Sequence, residues 1–258
     1  MTELQGLSTA FLGRHFCYLE ETPSTNLYCK EHAAALPHGA AVVAGCQTQG
    51  RGRLGKSWSD HAGQGLALSV LLRQQPLASL PLLPLVCGLG VARGLEKLCG
   101  LPFALKWSND VLHGGKKVCG ILCESQISGE DTFAVLGIGV NVTQTPEDFS
   151  YLNLVYAKSL FMATAKIFEI SAVGAFILNE LEPILQIFEN SGFSALLPEY
   201  RQRCVTLGRQ VQVEWEGTAV TGTAVDIAED GSLLCEINGT LCAVRAGETS
   251  VRGLYGYV

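Results

Sequence analysis

Charge is sparse in this sequence, and the balance of charge is acidic. Only 16% of the 258 residues are charged, and 18 Lys and Arg against 24 Asp and Glu leave a formal net charge of −6. A protein that binds nucleic acid through its phosphates alone is normally basic. The composition therefore argues against nucleic acid as the main partner.

The sequence also lacks the marks of a secreted or membrane-spanning protein. Residues 1–6 show no basic stretch leading into an apolar run, which a secretory signal requires. The longest apolar-rich stretch, 77–98, is interrupted by Pro81, Pro84 and charged residues, so it predicts a buried amphipathic helix and not a membrane span. We expect a cytoplasmic protein without a membrane partner.

Cysteine and histidine are present but show no site-like spacing. The ten cysteines include no CxxC pair, and a chain of this size needs no disulfides to stabilise its core. The five histidines are equally dispersed, which gives little support to a zinc site or a catalytic triad. We expect most cysteines to be small core residues in a reducing compartment, and no metal site built from side chains.

The apolar residues predict a mixture of strands and helices. The strand-like runs lie at 40–46, 66–72, 103–107, 118–124 and 133–140, and helical periodicity covers 82–99 and 172–189. Hairpin-length links join several of the strands. We therefore predict an α+β domain over residues 1–203, with packed helices and a mixed, largely antiparallel sheet.

Beyond Cys204 the pattern changes to short strands punctuated by turns. Residues 211–215 alternate strictly between apolar and polar, and three dipeptides are typical of hairpins. These are Glu216-Gly217, Asp230-Gly231 and Asn238-Gly239. Residues 204–258 are predicted to form a small antiparallel β-barrel domain.

The segment 47–58 has the composition of a loop that folds over an anion. It reads Gln-Thr-Gln-Gly-Arg-Gly-Arg-Leu-Gly-Lys-Ser-Trp. Glycines let the backbone approach a ligand, guanidinium groups bind phosphate or carboxylate, and Trp58 offers a face for stacking on a heterocycle. A solvated basic turn and an RGG-like nucleic-acid tail are the alternatives. Because the rest of the chain is acidic, a small anionic ligand held in a pocket is favoured.

Polar residues lie at or just beyond the ends of the central strands, where sheets commonly present binding side chains. They are Lys106, Asn109, Asp110, Lys117, Glu124 and Asn141. Each one alone also fits an ordinary turn or strand end. Their order and spacing together point to a site.

These motifs, in this order, resemble those of biotin protein ligases. The resemblance is carried by Ser24-Thr25-Asn26, Gln47, 50–58, Lys106-Trp107-Ser108-Asn109-Asp110, 117–124 and 137–141. Ser108 stands where the family usually has proline, and Leu54 replaces a frequent third arginine. The resemblance spans residues 15–258 and implies a class II synthetase-like biotin/lipoate ligase catalytic domain followed by an SH3-like barrel.

The resemblance implies a two-step ATP-dependent reaction. Biotin and ATP would give biotinyl-5′-AMP and pyrophosphate, with Mg²⁺ on the departing pyrophosphate. A specific lysine of a biotin carboxyl carrier protein or domain, such as that of acetyl-CoA carboxylase, would then take the biotin. ATP and biotin are therefore expected as substrates.

The resemblance also assigns roles to individual residues. Arg51, Arg53 and Lys117 would neutralise the biotin carboxylate and the α-phosphate, and Asp110 would orient Lys117 or the incoming lysine. The implied biotin-binding residues are Ser24, Thr25, Asn26, Gln47, Arg51, Gly52, Arg53, Lys117 and Gly120. The implied ATP- or adenylate-binding residues are Arg51, Trp58, Lys106, Asn109, Lys117 and Asn141. Closure of the loop would keep water from the adenylate, so we expect it to become ordered only with ligand.

Other functions of the same fold remain open. Only 23 residues precede Ser24, too few for a helix-turn-helix, so we expect no DNA-reading module and no repressor function. A lipoate or octanoate transferase shares the catalytic fold, and a non-enzymatic adenylate-binding protein is the other alternative. The resemblance is compatible with a homodimer.

Overall fold

The computed structural model describes residues 1–58, 62–128, 131–215, 218–245 and 252–253. These residues form two β-sheets and six α-helices. The strands are β1 (Phe16–Leu19), β2 (Ala41–Ala44), β3 (Gly65–Arg73), β4 (Ala104–Lys106), β5 (Asp110–His113), β6 (Lys116–Ser128), β7 (Asp131–Asn141), β8 (Gln210–Trp215), β9 (Thr218–Ile227), β10 (Leu233–Ile237), β11 (Thr240–Val244) and β12 (Arg252–Gly253). The helices are α1 (Thr25–Glu31), α2 (Leu83–Cys99), α3 (Pro146–Tyr151), α4 (Leu160–Thr164), α5 (Ile170–Ser191) and α6 (Leu197–Arg203).

The first sheet has seven strands in the order β1-β2-β3-β7-β6-β5-β4. Its first pair, β1 and β2, is parallel, and every other neighbouring pair is antiparallel. The prediction of a mixed, largely antiparallel sheet with packed helices is confirmed.

Helices α2 and α5 cover one face of this sheet and lie unusually close to each other. A Cβ atom at Gly90 would lie 2.8 Å from the Cα of Leu181, and one at Gly94 would lie 2.7 Å from the Cα of Ile177. These two glycines therefore allow the helix backbones to meet. Helix α2 ends where predicted because Gly100 adopts a left-handed φ of 69°.

Helix α5 is, among the residues the structure describes, the one helix whose length and composition would permit it to cross a membrane. Half of its most apolar window is buried within the protein. Its inward side chains, including Val173, Ile177 and Leu181, belong to the same apolar core as α2 and the sheet. It therefore has the environment of a core helix.

Helix α1 lies on the opposite face of the sheet, over a second and smaller apolar cluster. Because successive strand residues point to opposite faces, Val42 and Leu71 contact α1 while Val43 and Val70 belong to the core with α2 and α5. Helix α1 has only seven residues. A short helix cannot cover the whole face, and the uncovered part forms the cavity described below.

The C-terminal sheet has five antiparallel strands in the order β11-β10-β9-β8-β12. Asn238 and Gly239 have φ values of 51° and 78°, as a tight two-residue hairpin requires. Glu216-Gly217 lies outside the described residues. The small C-terminal β domain is confirmed, while the boundary between residues 203 and 204 stays a prediction.

Trp107 connects the two sheets just before the polar segment at 108–110. Its Nε1 donates to the carbonyl of Gly231 at 2.9 Å, and its backbone N–H donates to Thr206 Oγ1 at 3.0 Å. The indole is only 3% exposed. The C-terminal sheet therefore helps to hold the chain where β4 leads into the site.

A charged network joins α2, α6 and the start of β4. Arg93 Nε and Arg203 Nε donate to Glu199 at 3.0 and 2.9 Å, and Arg203 also pairs with Glu96 at 2.6 Å. Hydrogen bonding from Arg93, together with that from Arg203, lowers the pKa of Glu199 below its ordinary 4.5.

All ten cysteines are free thiols. Two of them, Cys119 and Cys123, lie on β6 and pack against the core with α2 and α5, on the face of the sheet away from the cavity. Burial raises the pKa of Cys123 to about 12 and also raises the pKa of Cys119. Both thiols therefore stay protonated, unlike a catalytic thiolate.

Candidate functional site

The cavity lies on the α1 face of the first sheet, between the start of α1 and the segment 47–58. Its floor is made of small residues on the central strands, with Gly120 on β6 paired opposite Gly139 on β7, and Leu122 paired opposite Gly137. The cavity encloses about 490 Å³ when the solvent at its mouth is included.

Glycine is required in this floor because the Trp58 indole lies directly on it. A Cβ atom at Gly139 would be 2.5 Å from Trp58 Cε2, and one at Gly120 would be 2.9 Å from both Trp58 Cζ3 and Lys117 Nζ. Any side chain at either position would displace the indole. The paired glycines therefore form a flat surface for an aromatic ring.

One end of the cavity is neutral and polar. The backbone N–H and the hydroxyl of Thr25 both donate to Gln47 Oε1, at 2.9 and 3.1 Å. Ser69 Oγ lies 2.6 Å from Asn26 Oδ1 and 2.7 Å from Thr25 Oγ1. Ser24, Thr25 and Asn26 are each 3% exposed. This network presents fixed donors and acceptors without a net charge.

Glu124 lies beside this polar end and receives three donors from two parts of the chain. Lys30 Nζ is 2.7 Å from Oε1, Arg51 Nη1 is 3.3 Å from the same oxygen, and Asn26 Nδ2 donates to Oε2 at 2.9 Å. Burial raises the pKa of this carboxyl, but the hydrogen bonds from Lys30 and Asn26 outweigh burial and leave the pKa below 4.5. Glu124 is therefore ionised at neutral pH.

The other end of the cavity is cationic. Lys117 Nζ pairs with Asp110 Oδ1 at 2.7 Å and lies 5.7 Å from the centroid of the Trp58 ring. Arg53 Nη1 donates to Ser108 Oγ and to Asn109 Oδ1, both at 2.7 Å. Burial lowers the pKa of Arg53, and the charge of Asp110 acts in the opposite direction.

The segment 50–58 folds back on itself and brings its cations to the cavity. Gly52 N–H donates to the carbonyl of Lys56 at 2.7 Å, and Trp58 N–H donates to the carbonyl of Gly50 at 2.9 Å. Leu54 adopts a left-handed φ of 53° at the tip of this turn. We refer to residues 50–58 as the arginine loop.

Most of the site residues predicted from the sequence meet at this cavity. Those in its lining are Ser24, Thr25, Asn26, Gln47, Arg51, Gly52, Arg53, Trp58, Asn109, Lys117 and Gly120. Asp110 lies behind the lining as the partner of Lys117. The individual roles of these residues stay predictions.

Lys106 and Asn141 are not among the lining residues. Lys106 is 8% exposed and pairs in register with Asp110 on the neighbouring strand. The Nδ2 of Asn141 donates to the backbone carbonyls of Lys117 and Lys158 at 3.5 and 3.3 Å. Asn141 therefore supports the backbone at Lys117. Direct contact of Lys106 or Asn141 with a nucleotide stays a prediction.

Ser69 and Lys30 were missed at the sequence level, and Glu124 was noticed there without a role. A hydroxyl within the apolar run 66–72 was a usable signal for Ser69, because alternation places it on the same face as Ala67 and Leu71. The same alternation groups Glu124 with Gly120 and Leu122. Lys30 carried no signal, since a lysine in the last turn of a helix is ordinary.

No group of three or more His, Cys, Asp or Glu side chains that could hold a metal ion occurs within the described parts of the chain. At the cavity, Asp110 is already paired with Lys117, and Glu124 is paired with Lys30. These donors do not fit a resident divalent cation.

Comparison with known proteins finds two matching family domains in this chain. Residues 18–141 match the biotin/lipoate A/B protein ligase family, and residues 206–252 match the biotin protein ligase C-terminal domain. A biotin--[acetyl-CoA-carboxylase] ligase of Mycobacterium tuberculosis is 35% identical over 91% of this chain and 88% of its own length. The bifunctional ligase/repressor BirA of Bacillus subtilis is 33% identical over 90% of this chain and 73% of its own length.

A solved structure gives the same result for the fold. The biotin protein ligase of Aquifex aeolicus in complex with biotin and ATP is 32% identical, with a TM-score of 0.80. The match covers 93% of this chain and 99% of that one.

Proposed function

The chain belongs to the biotin protein ligase family, and we propose that it activates biotin with ATP to biotinyl-5′-AMP and then transfers biotin to a specific lysine of a carboxyl carrier protein or domain. The observation that carries the proposal is a single cavity with a neutral polar end at Thr25, Asn26 and Gln47 and a cationic end at Arg53 and Lys117. Biotin has a neutral urea head and an anionic carboxylate tail. The two ends of the cavity match the two ends of that molecule.

The cationic end would reduce the electrostatic repulsion between the two substrates in the first step. The biotin carboxylate must approach the α-phosphate of ATP, and two anions repel each other. Arg51, Arg53 and Lys117 all line the cavity, and Arg53 is held by two hydrogen bonds before any ligand arrives. Fixed cations stabilise the developing negative charge without having to reorganise. Loss of one such group is expected to cost about 2.7–4 kcal/mol of transition-state stabilisation.

The polar end supplies the recognition of the urea head. Urea donates through two N–H groups and accepts through one carbonyl, so its site needs both kinds of partner in fixed positions. Asn26 and Thr25 are buried and held by Ser69 and Gln47. The apolar bicyclic ring would lie against the floor of β6 and β7 near Leu122 and Gly137, beside the part that Trp58 covers.

Trp58 and the arginine loop supply the nucleotide side. The indole already lies flat on the Gly120–Gly139 surface, where its outer face can stack on adenine. With the loop folded over the cavity, water is kept from the acyl-adenylate until the acceptor lysine arrives. Asp110 holds Lys117 at 2.7 Å and so orients the cation nearest to the indole.

We treat Mg²⁺ as part of the ATP substrate, since the protein donors at the cavity do not fit a resident ion. When bound, the metal neutralises the phosphates of the leaving pyrophosphate. The names of the relatives support a carboxyl carrier acceptor, since two of them are biotin--[acetyl-CoA-carboxylase] ligases. A cytoplasmic location, a homodimer and the absence of a repressor function stay predictions.

The test is biotin-dependent exchange of labelled pyrophosphate into ATP in the presence of Mg²⁺. We compare the wild-type protein with Lys117→Ala, and with Lys97→Ala as a matched control, because Lys97 pairs with Glu180 on α2 and α5 away from the cavity. Exchange that is lost in Lys117→Ala and kept in Lys97→Ala is the expected result. Exchange with lipoate and none with biotin would assign activation of lipoate to the protein instead, and no exchange with either would refute adenylation.

A further inference from the structure

Glu124 has no role in the chemistry described above, yet its carboxylate contacts both segments that border the cavity, α1 and the arginine loop. Asn26 and Lys30 reach it from α1, and Arg51 reaches it from the arginine loop. The side chain of Glu124 is 19% exposed. A carboxylate this well surrounded is held in one place, unlike an ordinary surface glutamate.

The carboxylate helps to determine which way the Asn26 amide points. An ionised carboxylate can only accept hydrogen bonds, so the group facing Glu124 must be the Nδ2 donor, which also donates to the carbonyl of Leu122 at 3.2 Å. The Oδ1 acceptor is then turned toward Ser69, 2.6 Å away. Glu124 and the Leu122 carbonyl together therefore fix the polarity of an amide that lines the cavity, and Glu124 supplies the shorter, charged contact.

The same carboxylate gives the arginine loop a docking point. Arg51 is 51% exposed and meets Glu124 at 3.3 Å, so by itself this is a surface ion pair of small energy. Lys30 and Asn26 have already immobilised the carboxylate, however, and only the Arg51 side chain must be ordered when the loop docks. Such a contact biases the loop toward closure and still allows it to open.

We propose that Glu124 is a positioning residue that couples the loop to the ligand-recognition end of the cavity, by setting the Asn26 amide and docking the loop through Arg51. Its effect on ligand binding rests on the proposed function, with biotin as the ligand. Its effect on the loop does not depend on which ligand the cavity binds.

The first arm of the test measures biotin binding to Glu124→Gln by calorimetry. Glutamine keeps the shape but loses the charge, and its amide can present a donor to Asn26. We expect biotin affinity to fall about tenfold or more, as the loss of a charge-assisted hydrogen bond implies. Glu180→Gln is the matched control, because Glu180 pairs with Lys97 outside the site, and it should bind biotin like the wild type. Thermal melting confirms that both variants are folded.

The second arm measures loop docking through the rate of trypsin cleavage after Arg53 and Lys56, followed by mass spectrometry without ligand. Glu124→Gln and Arg51→Ala should each increase this rate several-fold, and the double variant should increase it no further, because both changes break the same contact. Rates that multiply in the double variant would overturn the docking role.

The two arms separate failure of this inference from failure of the proposed function. If the wild type does not bind biotin, the ligase proposal fails, and the protease arm still decides the docking role. If the wild type binds biotin and Glu124→Gln binds it equally well, the positioning of Asn26 is refuted.

Discussion

Two glycines on one strand allow the two halves of the cavity to be perturbed separately. Gly137 and Gly139 lie two residues apart on β7, face the same side, and neither has a left-handed φ. Alanine therefore suits the backbone at both positions. A Cβ atom at 139 would meet Trp58 Cε2 at 2.5 Å, whereas one at 137 would meet Asn26 Oδ1 at 2.4 Å.

The size of each effect follows from these distances. Ordinary van der Waals contacts of a Cβ atom are 3.4–4 Å, so the Trp58 indole or the Asn26 amide must move by about 1 Å. Stacking of a base on an aromatic side chain is worth about 1–3 kcal/mol, so Gly139→Ala should raise the KM for ATP by about 5- to 150-fold. Gly137→Ala should raise the KM for biotin instead, because Asn26 would lose its alignment with Ser69 and Glu124.

Pyrophosphate exchange at varied ATP and varied biotin gives both KM values, and thermal melting gives the stability. We expect little change in melting temperature for two reasons. Replacing glycine with alanine lowers the conformational entropy of the unfolded chain, which favours the folded state by about 0.4–1 kcal/mol. The displaced groups also belong to a loop and a helix start. The reasoning would be refuted if Gly139→Ala affected biotin alone, or if both variants kept the wild-type values for both substrates.

Three further predictions concern the charged groups. Lys117→Ala should lose activity, and it should also lower stability because it removes the 2.7 Å ion pair with the largely buried Asp110; adding Asp110→Asn should restore the melting temperature without restoring pyrophosphate exchange. Ser108→Ala should lower kcat/KM with little change in melting temperature, since it removes one acceptor of the Arg53 guanidinium group, and an unchanged kcat/KM would show that the remaining contacts of Arg53, including Asn109, suffice. The lowered pKa of Glu199 means that its contribution to stability is complete above its ordinary pKa of 4.5 and is lost as the pH falls through the lowered value. In Glu199→Gln the melting temperature should therefore depend less steeply on pH in the acid range. A pH dependence as steep as that of the wild type would contradict this.

The secondary structure of the catalytic part was largely predictable, because its periodicities are strong. The run 66–72 became β3 and the helical pattern at 172–189 became α5, each extended by one or two residues at its ends. Helix α1 was not predicted. Its seven residues are too few to show a helical period, and what holds it is the apolar cluster beneath it.

Most residues that line the cavity were predictable from the sequence, and their arrangement was not. Motif order identified Arg53 and Asn109 as site residues, and the structure joins them by a hydrogen bond of 2.7 Å. No sequence pattern indicated that Ser108, in place of proline, would accept a hydrogen bond from the same guanidinium group at 2.7 Å. That contact depends on where the arginine loop lies in three dimensions.

The sequence by itself determined the residue types, the alternation that places glycines on one face of β6 and β7, and the family whose motifs these are. Those are local properties, since periodicity and composition are set by neighbours along the chain. Only the tertiary structure decided that Trp58 lies on Gly139, that Lys117 pairs with Asp110, and that Glu124 receives Arg51. Each of these contacts joins elements far apart in sequence, and their geometry is fixed by how the loop, the first helix and the sheet pack together.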